Sequence, residues 1–177
     1  MAACGSQPKQ TAFVTENSPV DAAGNARNKA RFLASQACKA ETCGKGECTY
    51  IETRIEGKTL YSPTTKKWTS SQTTSGKCAC TTETERISSC KRECEQTVTA
   101  FGDKDTEAAD KAMKIARKLA LSMCEGFHCD HPEGTNEPKC VYEETTIVGQ
   151  TWKDTESGKY ISWQISTGKC RCEAVWL

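Results

Sequence analysis

The sequence predicts an α+β fold: a tandem repeat of two β-α-β-β-β modules, each with one helix packed on an antiparallel sheet and each stapled by disulfides. Three observations carry this. The cysteine frame Cys38-x4-Cys43, Cys48-x29-Cys78-x-Cys80 recurs as Cys124-x4-Cys129, Cys140-x29-Cys170-x-Cys172. The residues between the cysteines recur in register. A shift of 86 places Cys4 on Cys90, Gln10-Thr11 on Gln96-Thr97, Ala30-Arg31 on Ala116-Arg117 and Leu33-Ala34 on Leu119-Ala120. A shift of 92 places Tyr50, Glu52-Thr53, Ile55, Gly57 and Thr59 on Tyr142, Glu144-Thr145, Ile147, Gly149 and Thr151. The change of register falls where Gly44–Glu47 is replaced by the longer Asp130–Lys139, in a loop where insertion is cheap. Finally, each copy runs from an alanine stripe at helical spacing into segments rich in Thr, Tyr, Ile and Trp. The expected boundaries are residues 1–81 for module 1, 82–95 for a charged connector and 96–177 for module 2.

The elements follow in order. Residues 10–16 read as a short strand. Ser18-Pro19-Val20-Asp21 starts a helix, with Ser as N-cap, Pro at the first helical position and an acid in the first turn. That helix runs to about Cys38, with Ala23, Ala26, Ala30, Leu33, Ala34 and Ala37 on one face. Module 2 repeats it from about Thr106 to Cys124 through Ala109, Ala112, Met113, Ala116, Leu119, Ala120 and Met123. The small side chains imply a close approach to a sheet. Arg27, Lys29 and Arg31, and then Lys111, Lys114, Arg117 and Lys118, lie off the stripe and read as a solvated face. Strands are expected at 48–56, 58–62, 67–74 and 77–82, and again at 140–148, 150–154, 159–166 and 169–176. Gly57 and Gly149 read as hairpin turns or bulges, and Gly76-Lys77 and Gly168-Lys169 as turns before the last strand.

Thirteen cysteines in 177 residues, in modules with only 36% hydrophobic residues and a mean hydropathy of −0.64, point to disulfides and an oxidising compartment. The predicted disulfide set is Cys4, Cys38, Cys43, Cys48, Cys78 and Cys80, then Cys90, Cys124, Cys129, Cys140, Cys170 and Cys172, with the connectivity open. In this reading Cys94 is the odd thiol, free or intermolecular. A second reading starts from Ala2-Ala3-Cys4-Gly5-Ser6, which is similar to the end of a bacterial lipoprotein signal peptide. There Cys4 carries lipid, and Cys90 and Cys94 join the bridged set. Structural zinc at Cys124, His128, Cys129 and His131 is the weaker alternative, because both histidines are missing from module 1.

These features place the chain outside the cell, in a periplasm or on the outer cell surface. No run is long enough to span a bilayer. The net charge of +1 argues against a partner bound by phosphate neutralisation, so no nucleic acid is expected. Neither Gly-x-Ser-x-Gly, nor His-Glu-x-x-His, nor a phosphate loop occurs, and no catalysis, cofactor or metal is expected. Glu93 and Glu95, the acids beside Cys94, would raise its pKa rather than activate it. The expected role is structural or protein-binding, toward a protein or cell-surface component, with Trp152 and Trp163 as candidate contacts. The alternative role is protease inhibition. The order of elements is similar to that of cystatins, whose first hairpin carries Gln-x-Val-x-Gly. Thr53-Arg54-Ile55-Glu56-Gly57 and Thr145-Thr146-Ile147-Val148-Gly149 match its hydrophobic residue and its glycine. That resemblance implies contact through Gly57 and Gly149.

Overall fold

A computed structural model describes residues 4–44, 46–81, 90–129 and 138–173. The chain is α+β. β1 (Lys9–Glu16), α1 (Pro19–Lys39), β2 (Glu47–Ser62) and β3 (Lys67–Thr81) are followed by β4 (Arg92–Gly102), α2 (Asp105–Cys124), β5 (Lys139–Lys153) and β6 (Tyr160–Glu173). The six strands form one sheet in the order β1-β3-β2-β4-β6-β5. All pairings are antiparallel except the central one, where β2 runs parallel to β4 from Arg54↔Glu93 to Thr59↔Val98. α1 packs on β1, β2 and β3, α2 packs on β4, β5 and β6, and the helices touch.

Each half is therefore β-α-β-β, one strand fewer than the expected β-α-β-β-β unit, because two pairs of the expected segments merge. Segments 48–56 and 58–62 are one strand, as are 140–148 and 150–154; 67–74 continues through 77–81, and 159–166 through 169–173, with residues 82 and 174–176 outside the described residues. The glycines read as turns lie inside strands. Gly57 stands beneath the Gln72 amide, where a Cβ would come within 2.0 Å of Nε2. Gly149 stands beneath Gln164 in the same way, at 2.2 Å from Cδ. Gly76 and Gly168 sit opposite one-residue bulges at Thr53 and Thr145, where a Cβ would strike the carbonyl oxygens of Ile51 and Glu143. The true hairpin turns lie at Lys66 and Gly158, both at positive φ. Of the expected connector, 82–89 lies outside the described residues, and 92–95 belong to β4.

The helices form where the sequence says. Ser18 caps α1 by accepting a hydrogen bond from the Asp21 N–H, with Pro19 opening the first turn. Alanines 22, 23, 26, 30 and 34 are fully buried in α1, and 108, 112, 116 and 120 in α2. Such small side chains let the helices lie close on a sheet face that is itself largely polar: Thr59, Ser70, Gln72, Thr74, Gln96, Ser162 and Ser166 have no exposure. Burial of those groups is tolerable because they are paired. Thr59 meets Ser70 at 2.9 Å, Gln72 Nε2 donates to Ser70 Oγ at 3.0 Å, and the Gln72 and Gln96 amides bond reciprocally at 3.1 and 3.2 Å. The last pair crosses the β2–β4 join.

The bulges change which residues face the helices. Cys48 and Glu52 are buried before Thr53, and Ile55 and Thr59 after it. Gly57→Ala should displace the Gln72 amide and strand Gln96, a loss of about 1–3 kcal/mol for the unpaired buried group. Gly149→Ala should cost clearly less, since Gln164 has no glutamine partner among the described residues. Urea unfolding of the two variants compares them directly.

Candidate functional site

The cysteines pair locally, three bridges in each half. Cys4 joins Cys48, Cys38 joins Cys78 and Cys43 joins Cys80; Cys90 joins Cys140, Cys124 joins Cys170 and Cys129 joins Cys172. Each Cys-x-Cys strand thus holds a helix end with one sulfur and the following loop with the other, because alternation along the strand puts both on the helix side. Cys4 is bridged to Cys48, as in the reading of six bridged cysteines per module; a lipid thioether would need the same sulfur. The zinc reading loses Cys124 and Cys129 to disulfides, and Asp130 and His131 lie outside the described residues. Three-sulfur groups such as Cys4, Cys43 and Cys80 or Cys90, Cys129 and Cys140 come close together, but every one of those sulfurs is half of a disulfide.

Cys94 is the free thiol, and it is buried. Glu93 and Glu95 alternate to the opposite side of β4, so they are not what governs it. Burial is, and it pushes the thiol up to about 12 against the opposing pull of Arg27 and a hydrogen bond to Gln96. Such a thiol is no nucleophile at neutral pH. The sign of its linkage is definite. Below about pH 9 the thiol is neutral in both states; between pH 9 and 12 only the unfolded chain ionises it, so folding stability falls through that window. Thermal midpoints measured across it should drop in the wild type and drop less in Cys94→Ala. The Tyr142 hydroxyl, also raised to about 12 by burial, contributes in the same direction and remains in both proteins.

Beside Cys94 lies a charged cluster that joins the two halves. Glu52 of β2 accepts from Arg31 of α1 through both oxygens at 2.8 and 2.9 Å and from Thr74 Oγ1 at 2.6 Å. Arg92 of β4 lies 3.7 Å from the same carboxylate and donates to the Glu52 backbone oxygen. The Phe127 ring, from the turn after α2, lies against both guanidinium groups, with its centroid 4.9 Å from Arg31 and 4.5 Å from Arg92. Arg27 is buried and donates to the Leu119 carbonyl across the helix pair; burial lowers it to about 10, so it stays charged at neutral pH. The solvated basic face expected for α1 is therefore partly an interior feature. The second half has the same core motif without the covering layer: Arg117 binds Glu144 through two bonds of 2.9 Å, Ser166 Oγ donates to Glu144 at 2.7 Å, and Arg117 is half exposed.

The surface that offers contact lies on the other side of the sheet, opposite the helices. Across β5 and β6 the register places Val148 beside Ile165, Gln150 beside Trp163 and Trp152 beside Ile161. The alternate residues Ser162, Gln164 and Ser166 are buried under α2, so this apolar strip faces away from it. Val148 is 56% and Trp152 43% exposed; Ile161, Trp163 and Ile165 are half-buried. At the corresponding places the first half carries Glu56, Lys58 and Leu60 with Thr69, Ser71 and Thr73, which is mostly polar. Trp152 and Trp163 thus meet on one strip, while Trp176 lies outside the described residues. Gly57 and Gly149 are not exposed at a hairpin tip. They lie mid-strand, and the hairpin contact that the cystatin resemblance implies has no counterpart at 53–57 or 145–149. A groove of about 720 Å³ lies at the Arg54–Glu93 end of the join, lined by Arg54, Lys91, Arg92, Lys169 and Arg171 with Glu93. Its outer arginines are already tied to acids, Arg54 to Glu56 and Glu95 and Arg171 to Glu143 and Glu173. Comparison with protein-family models, curated proteins and solved structures finds no match to this chain.

Proposed function

We propose that the chain is an exported tandem repeat of two disulfide-stapled β-α-β-β modules, with a structural or protein-binding role outside the cell, in a periplasm or on the outer cell surface, and without catalysis. The apolar strip Val148–Trp152 against Ile161–Ile165 is the observation that carries it. Aromatic and branched side chains on a rigid, solvent-open sheet form an anchor surface at low entropic cost, and they fill five of the six paired positions in one copy where the other has Leu60 alone among polar residues. Six disulfides in so polar a chain support the exported setting. Among the described residues no helix is long and apolar enough to cross a membrane.

Two measurements test this. Intact mass after alkylation should show twelve cysteines protected until reduction, and Cys94 reacting only in denaturant; alkylation of many cysteines in the unreduced, unfolded chain would remove the exported reading. Trp152→Ala should keep the thermal transition while weakening retention of the protein on the envelope of its own source cells. Loss of the transition would show that Trp152 supports the core instead.

A further inference from the structure

The internal join of the two halves is offered again, open, at the two edges of the sheet. We infer that the chain associates head to tail with further copies of itself, the free edge of β5 pairing in parallel with the free edge of β1 from the next copy. The inference rests on the tandem-repeat reading. By the repeat, β5 is the counterpart of β2 and β1 the counterpart of β4. β2 and β4 form the parallel join inside the chain, whereas β5 and β1 are the two edge strands. Carried over, the internal register becomes Ile147 beside Pro8, Val148 beside Lys9, Gly149 beside Gln10, Gln150 beside Thr11 and Thr151 beside Ala12.

The side chains that close the internal join are present at these edges and lack their cover among the described residues. Leu119, fully buried against Ala23 and Val98 at the join, corresponds to Leu33, which is 37% exposed. Ile55, fully buried against the second half's core, corresponds to Ile147, which is only half-buried. Ala23 and Thr59 are fully buried, and their counterparts Ala109 and Thr151 are partly open. Gln164 repeats the Gln72 bond to the neighbouring serine, at 3.0 Å in both, and lacks the second amide; Gln10, the counterpart of Gln96, stands on the other edge to supply it. Where the join has Phe127 over Arg31, a second copy would bring Glu41 toward Arg117, an acid against a base.

The backbone fits as well. The carbonyls of Ser6 and Pro8 accept from Cys78 and Gly76 of β3, so Gln7, Lys9 and Thr11 turn their N–H and C=O groups to the free edge. The N–H that Pro8 lacks belongs to the β3 side, and its loss leaves the edge intact. Neither edge is blunted within the expected register except by Lys9. An edge that pairs with a different edge is a heterologous contact, which does not saturate at a dimer. Such an array would line up the apolar strips on one side and raise their avidity.

Sedimentation of the oxidised full chain tests this. The wild type should exceed the 19.4 kDa monomer with rising concentration and pass the mass of a dimer. Leu33→Asp closes one end and Ile147→Asp the other; Leu33 is exposed and Ile147 half-buried in the monomer, so each variant, once its cooperative thermal transition shows that it folds, should remain monomeric alone. An equimolar mixture should form a species of two chains and nothing larger, since each partner retains the end that the other lacks. Hydrogen exchange at Lys9 and Thr11 in the wild type should slow with concentration, which checks the edge without any substitution. A wild type that stays monomeric with its twelve cysteines oxidised overturns the assembly and leaves the binding reading standing. Dimers of either variant alone, or a mixture that does not combine, overturn it too. Cysteines that alkylate without reduction in the unfolded chain overturn both.

Discussion

Glu52→Gln is expected to lower folding stability by about 3–5 kcal/mol, the range for removing one partner of a buried ion pair. The same change at Glu144 should cost about 1 kcal/mol or less, as for an exposed pair. The two sites share their ligands: a bidentate arginine and a hydroxyl, Arg31 and Thr74 at one, Arg117 and Ser166 at the other. They differ in surroundings. Side-chain exposure is 5% for Glu52 and 5% for Arg92, against 25% for Glu144 and 49% for Arg117. Loss of the Glu52 charge leaves Arg92 buried, with its Nε already without a partner, and takes from Arg31 the bidentate charge-assisted pair. Burial already holds the Arg92 guanidinium below its ordinary range, with Glu52 the largest opposing pull. Urea unfolding of the two single variants isolates the effect of burial with the chemistry matched. Equal losses would show that the join is too well hydrated for its charges to matter.

Much of the order of elements was legible because the cysteine frame recurs in the sequence. That frame and the alanine spacing placed the two helices, and the Ser18-Pro19 signal placed the start of α1. What failed was local punctuation. Gly57, Gly76, Gly149 and Gly168 look like turns on propensity, yet each is a glycine because something crosses over it: a glutamine amide at 57 and 149, a bulged carbonyl at 76 and 168. Such a reason is tertiary and leaves no local mark. The bulges at Thr53 and Thr145 also reverse the alternation, so counting by twos along β2 from Cys48 puts Ile55 on the wrong face. The parallel β2–β4 join was hidden for a further reason. Its strands come from different halves, and 92–95 look like a charged linker because the Arg92 guanidinium is buried.

The candidate surface was partly legible. Trp152 and Trp163 stood out as additions to the second half, but Val148, Ile161 and Ile165 become one strip with them only through the β5–β6 register. The interior cluster was not legible at all. Arg27 and Arg31 read as solvated because charged residues usually are. A core of alanine, threonine, serine and glutamine has little hydropathy contrast, so polar positions under the helices look like surface positions. Only the identical recurrence of Arg31 with Arg117 and Glu52 with Glu144 could have signalled a paired network.

Because that core is thin, the disulfides should carry much of the stability. The six bridges span 37–50 residues, so the chain-entropy argument assigns each about 4 kcal/mol with little difference between them. Differences among their removals therefore report packing in the folded state. Cys38 and Cys78 are both buried, whereas Cys80 is exposed. Replacing Cys38 and Cys78 together by Ala should cost the entropic share plus the loss of close contacts at the end of α1. Replacing Cys43 and Cys80 together should cost the entropic share plus a smaller packing loss, since Cys43 is at the edge of burial and Cys80 is exposed. The first variant should thus unfold at lower urea, and against a typical total of about 5–15 kcal/mol either loss is large. Full reduction should abolish the cooperative transition. Equal midpoints for the two variants would show that the bridges act only on the unfolded chain; a reduced chain that still melts cooperatively would show that the polar core suffices without them.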